Sequence, residues 1–223
     1  MRVRQIVAVA SMILPWVLRR HILNLVLNYR IAPDARVGFS LVSCDRLIME
    51  PGSSIAHFTV VKSIGLVHLG EHAKIGSFNW ISGIGANDRK HFADEIDRRP
   101  QLVVGPHASI TGRHIIDCSN AVMIGAFSTI AGAGTLILTH AIDLRENRQR
   151  SGPVEIGRYC FVGAACVVLK GAKLPDYSVL AANSTLHKQF SDKFTIYSGV
   201  PALPGAKIDP DAGYFHRSIG HVP

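Results

Sequence analysis

Ile156, Val162, Val168, Leu174, Leu180 and Leu186 follow one another at strict six-residue intervals. An amphipathic helix sets apolar residues about every 3.6 positions and a half-buried strand every second one, so a period of six suits neither. It suits a coiled chain in which each six-residue rung turns one large aliphatic side chain into a narrow interior. Stacked coils bury a continuous core that no single coil could bury, and hexapeptide repeats mark this β-helix architecture. The frame continues upstream as Ile31-Val37-Ser43, Met49-Ile55-Val61, Leu69-Ile75-Ile81, Val104-Ile110-Ile116 and Ile124-Ile130-Leu136, with only Ser43 lacking a large apolar group. Three rungs per coil make a triangular prism of about seven coils, and every insertion then leaves from one corner.

Four positions after most frame residues stands a small residue: Ala35, Ser53, Thr59, Ala73, Ala108, Ser128, Cys160, Cys166, Ala172, Ser178 or Ser184. Small side chains suit a tight corner where backbones pack closely. Asn79, His114, Asn120 and His140 depart from the pattern, and such departures are where function is sought first.

The 223 residues allow one elongated domain with appendages. Roughly twenty buried aliphatics at about 1.5–3 kcal/mol each form a sufficient gross core before chain entropy is subtracted. Cys44, Cys118, Cys160 and Cys166 lack metal-ligand spacing and read as reduced packing residues. A formal net charge of +8 indicates an anionic partner, a phosphorylated cofactor or a membrane surface. No aromatic RNA-binding signature accompanies it, so no nucleic-acid partner is expected.

The first residues, basic through Arg4 and apolar over Ile6–Leu18, superficially resemble a signal peptide, yet no small-residue cleavage site follows. The apolar run is broken by Pro15 and too short to span a bilayer. Residues 1–30 are therefore expected as a helical cap of a cytoplasmic protein. The alternative is peripheral contact with the inner face of the membrane through Arg2, Arg4, Arg19, Arg20 and Arg30. The β-helix is expected over 31–189, with inserted loops 83–101 and 140–153, and an irregular tail over 190–223.

Ile75-Gly76, Ile124-Gly125, Ile130-Ala131, Ile156-Gly157, Val162-Gly163 and Leu180-Ala181 resemble the repeats of the hexapeptide acyltransferases. The run from Ile124 to His140, the segment Ile156–Ala164 and the terminal Gly199-Val200-Pro201-Ala202 resemble the branch with galactoside, maltose and colanic-acid acetyltransferases. The resemblance covers roughly residues 31–207. It implies a left-handed parallel β-helix, a homotrimer, acetyl-CoA as acyl donor without a metal, and a sugar or surface-polysaccharide precursor as acceptor. Crossover physics alone would favour the right-handed sense.

Acyl transfer to a hydroxyl needs a general base, and histidine has the suitable unperturbed pKa. Among eleven histidines His140 stands apart, because it follows the Leu136 rung at the mouth of the second loop, where the resembled family carries its catalytic base. Asp143, on the same loop, or a backbone carbonyl would orient the imidazole. Ala164 and Ala182 lie two residues beyond Val162 and Leu180, with Gly132 beneath, and form a column of small residues parallel to the prism axis. By resemblance Gly163, Ala164 and Ala182 meet the thioester and pantetheine arm, the Ala164 N–H faces the developing oxyanion, and Lys188 meets the nucleotide phosphates. The resemblance also makes Asp117 an acceptor contact; His114 and Asn79, departures from the corner pattern, are the weaker candidates for that role. Arg89, Lys90 and His91 on the first loop would greet an anionic group. With His140 on the third rung and the column on the second, a trimer would share each active site between subunits. A zinc enzyme like the carbonic anhydrases of this fold would need a third histidine beside His68 and His72, and a non-enzymatic scaffold would leave the loops and the column without purpose.

Overall fold

Three parallel sheets form the walls of a triangular prism. The computed structural model describes residues 2–88 and 90–222, so Arg89 lies outside the described residues. Wall 1 pairs Ile31, Met49, Leu69, Val104, Ile124, Ile156 and Leu174 in successive coils. Wall 2 pairs Val37, Ile55, Ile75, Ile110, Ile130, Val162 and Leu180. Every one of these side chains is buried, so each wall contributes one aliphatic per coil to a common interior. The expected all-β parallel β-helix is the fold.

Wall 3 corrects the frame twice. Its buried column runs Val42, Val61, Ile81, Ile116, Ile137, Val168 and Leu186. Val42 replaces Ser43 because the first corner is one residue short, and Ser40 occupies it. Ile137 replaces Leu136 because the corner after Ile130 carries an extra residue, accommodated by Gly132 and Gly134 at φ of 67° and 78°. Leu136 points outward instead, in register with Ile115 and Val167.

The corners explain why strands of two to four residues persist. Where wall 2 turns into wall 3, each corner side chain accepts a hydrogen bond from the backbone of the next coil. Ser40 Oγ accepts from Thr59 N, Thr59 Oγ1 from Asn79 N, Asn79 Oδ1 from His114 N, His114 Nδ1 from Thr135 N, and Thr135 Oγ1 from Cys166 N. Such bonds contribute about 1 kcal/mol each, and a buried N–H left unpaired would cost more. Where wall 1 turns into wall 2, His72, His107, Phe127, Tyr159, Tyr177 and Phe194 all adopt positive φ, between 52° and 59°. Non-glycine residues disfavour that region. Here the rings stack at 4.7–5.5 Å in one continuous column, and aromatic pairs of this kind contribute about 0.5–1.5 kcal/mol each.

The helices α1 (Arg2–Ala10) and α2 (Trp16–Val26) close the first coil. Buried Arg19 fixes α2 by donating to the carbonyls of Gly38 and Ser40 at 2.7 and 2.8 Å. The C-terminal segment is more regular than the sequence suggests: Thr195–Ser198 adds an eighth rung to wall 2 and pairs antiparallel with Leu203–Lys207. Tyr214, Phe215 and Arg217 then lie across the aromatic column.

The corrected register has a direct consequence. Ile137→Ala should lower unfolding free energy by about 2–5 kcal/mol, and Leu136→Ala should cost less, as measured by urea denaturation.

Candidate active site

Both insertions leave where wall 3 turns into wall 1. The first joins the strand Trp80–Ser82 to Gln101–Val104, and the second contains a hairpin pairing His140–Asp143 with Arg148–Ser151. Between them, one coil lower than the hairpin, Asp117 ends the strand Ile115–Asp117 and faces outward. Register brings the two together, because a residue just past the wall 3 column lies beneath its counterpart in the next coil.

His140 Nδ1 and Asp117 Oδ2 are 2.7 Å apart. The same carboxylate accepts from Thr139 N and Oγ1 at 2.8 and 2.7 Å and from Ser119 N and Oγ at 2.9 and 2.6 Å. Burial opposes the ionised form of Asp117, but the hydrogen bonds from His140, Ser119 and Thr139 outweigh it and hold the carboxyl down at about 2. An ionised carboxylate can only accept, so Nδ1 carries the proton and the neutral ring keeps its lone pair on Nε2. The Asp117 hydrogen bond raises the His140 pKa above its ordinary value, against opposing effects of burial and of Arg98. Nε2 is thus an oriented base whose proton affinity exceeds that of a free imidazole. The attraction between His140 in its charged form and Asp117 stabilises the fold at low pH. It is fully present below the ordinary histidine pKa and lost as pH rises through the elevated one.

This arrangement corrects one expectation and bears on another. Asp143 does not orient the imidazole; its carboxylate accepts from the backbone of Arg145 and Glu146 in the hairpin turn. Asp117, expected as an acceptor contact, is hydrogen-bonded to His140. Asn79 and His114 are each 1 % exposed, and their polar atoms serve the corner ladder. His114 Nδ1 accepts a backbone N–H and Nε2 meets Thr111 Oγ1, so the ring is neutral, and burial lowers its pKa. Both were expected to contact the acceptor; the ladder leaves them no free group to do so.

The first loop supplies residues that the repeat pattern did not single out. Arg98 is buried and donates to the carbonyls of Ile84, Gly85 and Ser119 at 2.5, 2.6 and 2.6 Å. Its guanidinium lies 4.3 Å from the Phe92 ring, and Phe92 stands edge-on to His140 with ring centres 6.0 Å apart. Glu95 accepts from Ser151 N at 2.9 Å and from Ser151 Oγ, which latches this loop to the hairpin. Lys90 and His91 are exposed, with His91 N bonded to Asp88.

Gly132, Ala164 and Ala182 stack as expected, at the corner between walls 2 and 3. A Cβ on Gly132 would lie 2.5 Å from that of Ala164, and one on Gly163 would lie 2.6 Å from Ala182 N, so only glycine fits at either place. Gly163 N and Ala165 N bond to neighbouring coils at 2.8 and 2.9 Å, whereas Ala164 N has no acceptor among the described residues. Lys188 is exposed beside the Phe190 ring at 5.3 Å and lines a cavity of about 720 Å³ with Lys173 and Lys193. It follows wall 3, on the edge that carries His140. The site residues therefore divide between the two edges of wall 3: His140, Asp117 and Lys188 on one, the small-residue column on the other.

Among the described residues no three or more His, Cys, Asp or Glu side chains converge as a metal site. His68 contacts Glu50 at 2.7 Å, and His72 stacks on His107.

No family model matches the chain, and no curated protein resembles it significantly in sequence. Several solved structures share its fold. The polysialic acid O-acetyltransferase OatWY aligns with a TM-score of 0.60 and 15% identity, over 81% of this chain and 84% of its own. The N-acyltransferase AntD of Bacillus cereus, solved with dTDP and 3-hydroxybutyryl-CoA, aligns at 0.54 and 14%, over 82% and 87%. The hexapeptide-repeat acetyltransferase VCA0836 of Vibrio cholerae aligns at 0.51 and 20%, over 64% and 74%.

Nuclear magnetic resonance titration of the His140 ring tests the electrostatics. Asp117→Asn should lower its pKa, and Arg98→Met should raise it, each relative to the unsubstituted protein.

Proposed function

We propose that the protein is a hexapeptide-repeat acyltransferase that moves an acetyl group from acetyl-CoA to a hydroxyl of a sugar or surface-polysaccharide precursor. The observation that carries this reading is the His140–Asp117 pair, with Nε2 bonded to none of the described residues at the mouth of two latched loops. The nature of the fold's neighbours supports it: an O-acetyltransferase acting on polysialic acid, and an N-acyltransferase solved with an acyl-CoA. The galactoside, maltose and colanic-acid branch is proposed on the segments Ile124–His140 and Ile156–Ala164.

In the proposed reaction Nε2 takes the acceptor proton as the hydroxyl oxygen attacks the thioester carbonyl. Asp117 stabilises the resulting imidazolium. The Ala164 N–H, lacking an internal acceptor, donates to the oxyanion of the tetrahedral intermediate. Collapse breaks the C–S bond, and the departing thiolate takes the proton back from His140, leaving an ester and free coenzyme A. Gly163, Ala164 and Ala182 would line the pantetheine arm, and Lys188 would pair with a phosphate.

The division of these residues between two edges motivates a shared site. The outward column of wall 3 runs Leu41, Val60, Trp80, Ile115, Leu136 and Val167, in register from coil to coil, and ends at Thr185. The matching column of wall 2 is polar over its first five coils, Arg36, Ser54, Lys74, Ser109 and Thr129, and continues as Phe161, Val179 and Ile196, with Phe161 against the Tyr214 ring. An apolar column of this length on an outer wall favours cover by another surface. Three copies facing one axis through wall 3 would bring the His140 edge of each against the small-residue edge of the next. The homotrimer is proposed on that basis.

His140→Ala should reduce turnover by about 10²–10⁴-fold with the circular dichroism spectrum unchanged. Thiol release from acetyl-CoA in the presence of a sugar panel is the assay, and an undiminished rate would remove the mechanism. Ile115→Glu should split the trimer in sedimentation and abolish activity, although Ile115 lies outside the catalytic pair.

A further inference from the structure

The two helices that close the first coil carry a face the fold does not use. Val3, Ile6, Val9 and Ile13 are between 54% and 84% exposed, at helical spacings of three and four residues. Val17, Leu18, Leu25 and Val26 extend the apolar surface over α2, each half or more exposed. A shallow cavity of about 470 Å³ opens on α1, lined by Gln5, Ile6, Val9 and Ala10. Soluble surfaces rarely leave so many aliphatics together without a partner.

The charge beside this face is one-sided. Residues 1–50 hold seven arginines and three acidic residues (Asp34, Asp45 and Glu50), a surplus of four from a chain whose total is +8. No acidic residue precedes Asp34. Arg4 and Arg20 reach back to the carbonyls of Leu27 and Ile31, which leaves the aliphatic stripe free of their head groups. Arg30, Arg36 and Arg46 stand exposed on the first two coils of walls 1 and 2, and His21 is exposed on α2. Glu50 is engaged by His68 and Asp34 by Gly52 N. Neither helix is long and apolar enough to cross a membrane.

We infer that α1 and α2 form a docking face for an anionic phospholipid surface, lying in its interfacial plane. Short amphipathic helices with aliphatics on one side and arginines at the margin bind there through apolar burial and charge together. Three parallel copies of the face, one per subunit, would multiply weak single contacts into stable attachment. Contact between copies through the same face would gather the helix arginines with no acidic residue before Asp34 to neutralise them. The chemistry at His140 does not enter this inference, so its outcome is independent of the acyltransferase reading.

Co-sedimentation of the full chain with vesicles tests it. Vesicles of about one third phosphatidylglycerol in phosphatidylcholine should bind the protein about tenfold or more tightly than pure phosphatidylcholine. The triple variant Ile6→Asp, Val9→Asp, Ile13→Asp should stay in the supernatant. So should the double variant Arg30→Glu, Arg46→Glu, whose substitutions on exposed strand positions leave the helices intact. Thermal unfolding of both should match the unsubstituted protein. Failure of the unsubstituted protein to bind anionic vesicles, or undiminished binding by both variants, would overturn the inference. A change of subunit number in the aspartate variant without lipid would also overturn it, assigning the face to contact between copies.

Discussion

One aliphatic side chain per wall per coil, directed into a triangular interior, is the constraint on which the molecule depends. Strands of two to four residues cannot hold themselves together in water. They persist because each column, such as Ile31 through Leu174 on wall 1, stacks seven deep in register. A lap that fails to return to register would put a polar residue into the core and an aliphatic into solvent. Length variation is therefore confined to corners, and the two long insertions share one of them.

The same constraint explains what the unusual corner residues do. A histidine and an asparagine among serines and threonines suggest chemistry, yet Asn79 and His114 maintain the backbone connection between coils. Their side chains reach the next backbone N–H just as Ser40, Thr59 and Thr135 do. Polar groups that can act on a ligand lie instead past the end of wall 3, where the chain leaves the prism. There Asp117 and His140 meet across successive coils, and buried Arg98 holds the intervening loop against them.

Periodicity made the fold legible, since the aliphatic columns of walls 1 and 2 follow directly from spacing. It was less informative on wall 3, where a corner one residue short and another one residue long moved the frame to Val42 and Ile137. Spacing alone does not record such slips, because Leu136 and Ile137 are equally apolar. His140 was legible as a histidine at a loop mouth. Its pairing with Asp117 was not, although stacking placed both near one corner, because Asp143 offered a closer carboxylate in sequence. Arg98 and Phe92 lay beyond reach, since the position of an inserted loop is set by contacts that no repeat encodes.

The proposed chemistry rests on separation as much as on proximity. His140 occupies one edge of wall 3 and the Ala164–Ala182 column the other, so one chain alone cannot bring them together. Subunit complementation tests this most directly. His140→Ala and Ala182→Trp variants would each be inactive, the second because its donor track is filled. Unfolded and refolded together in equal amounts, they should recover about a quarter of the unsubstituted activity if each site joins two copies at random. No recovery, with mixed trimers demonstrated by mass spectrometry, would contradict the shared site.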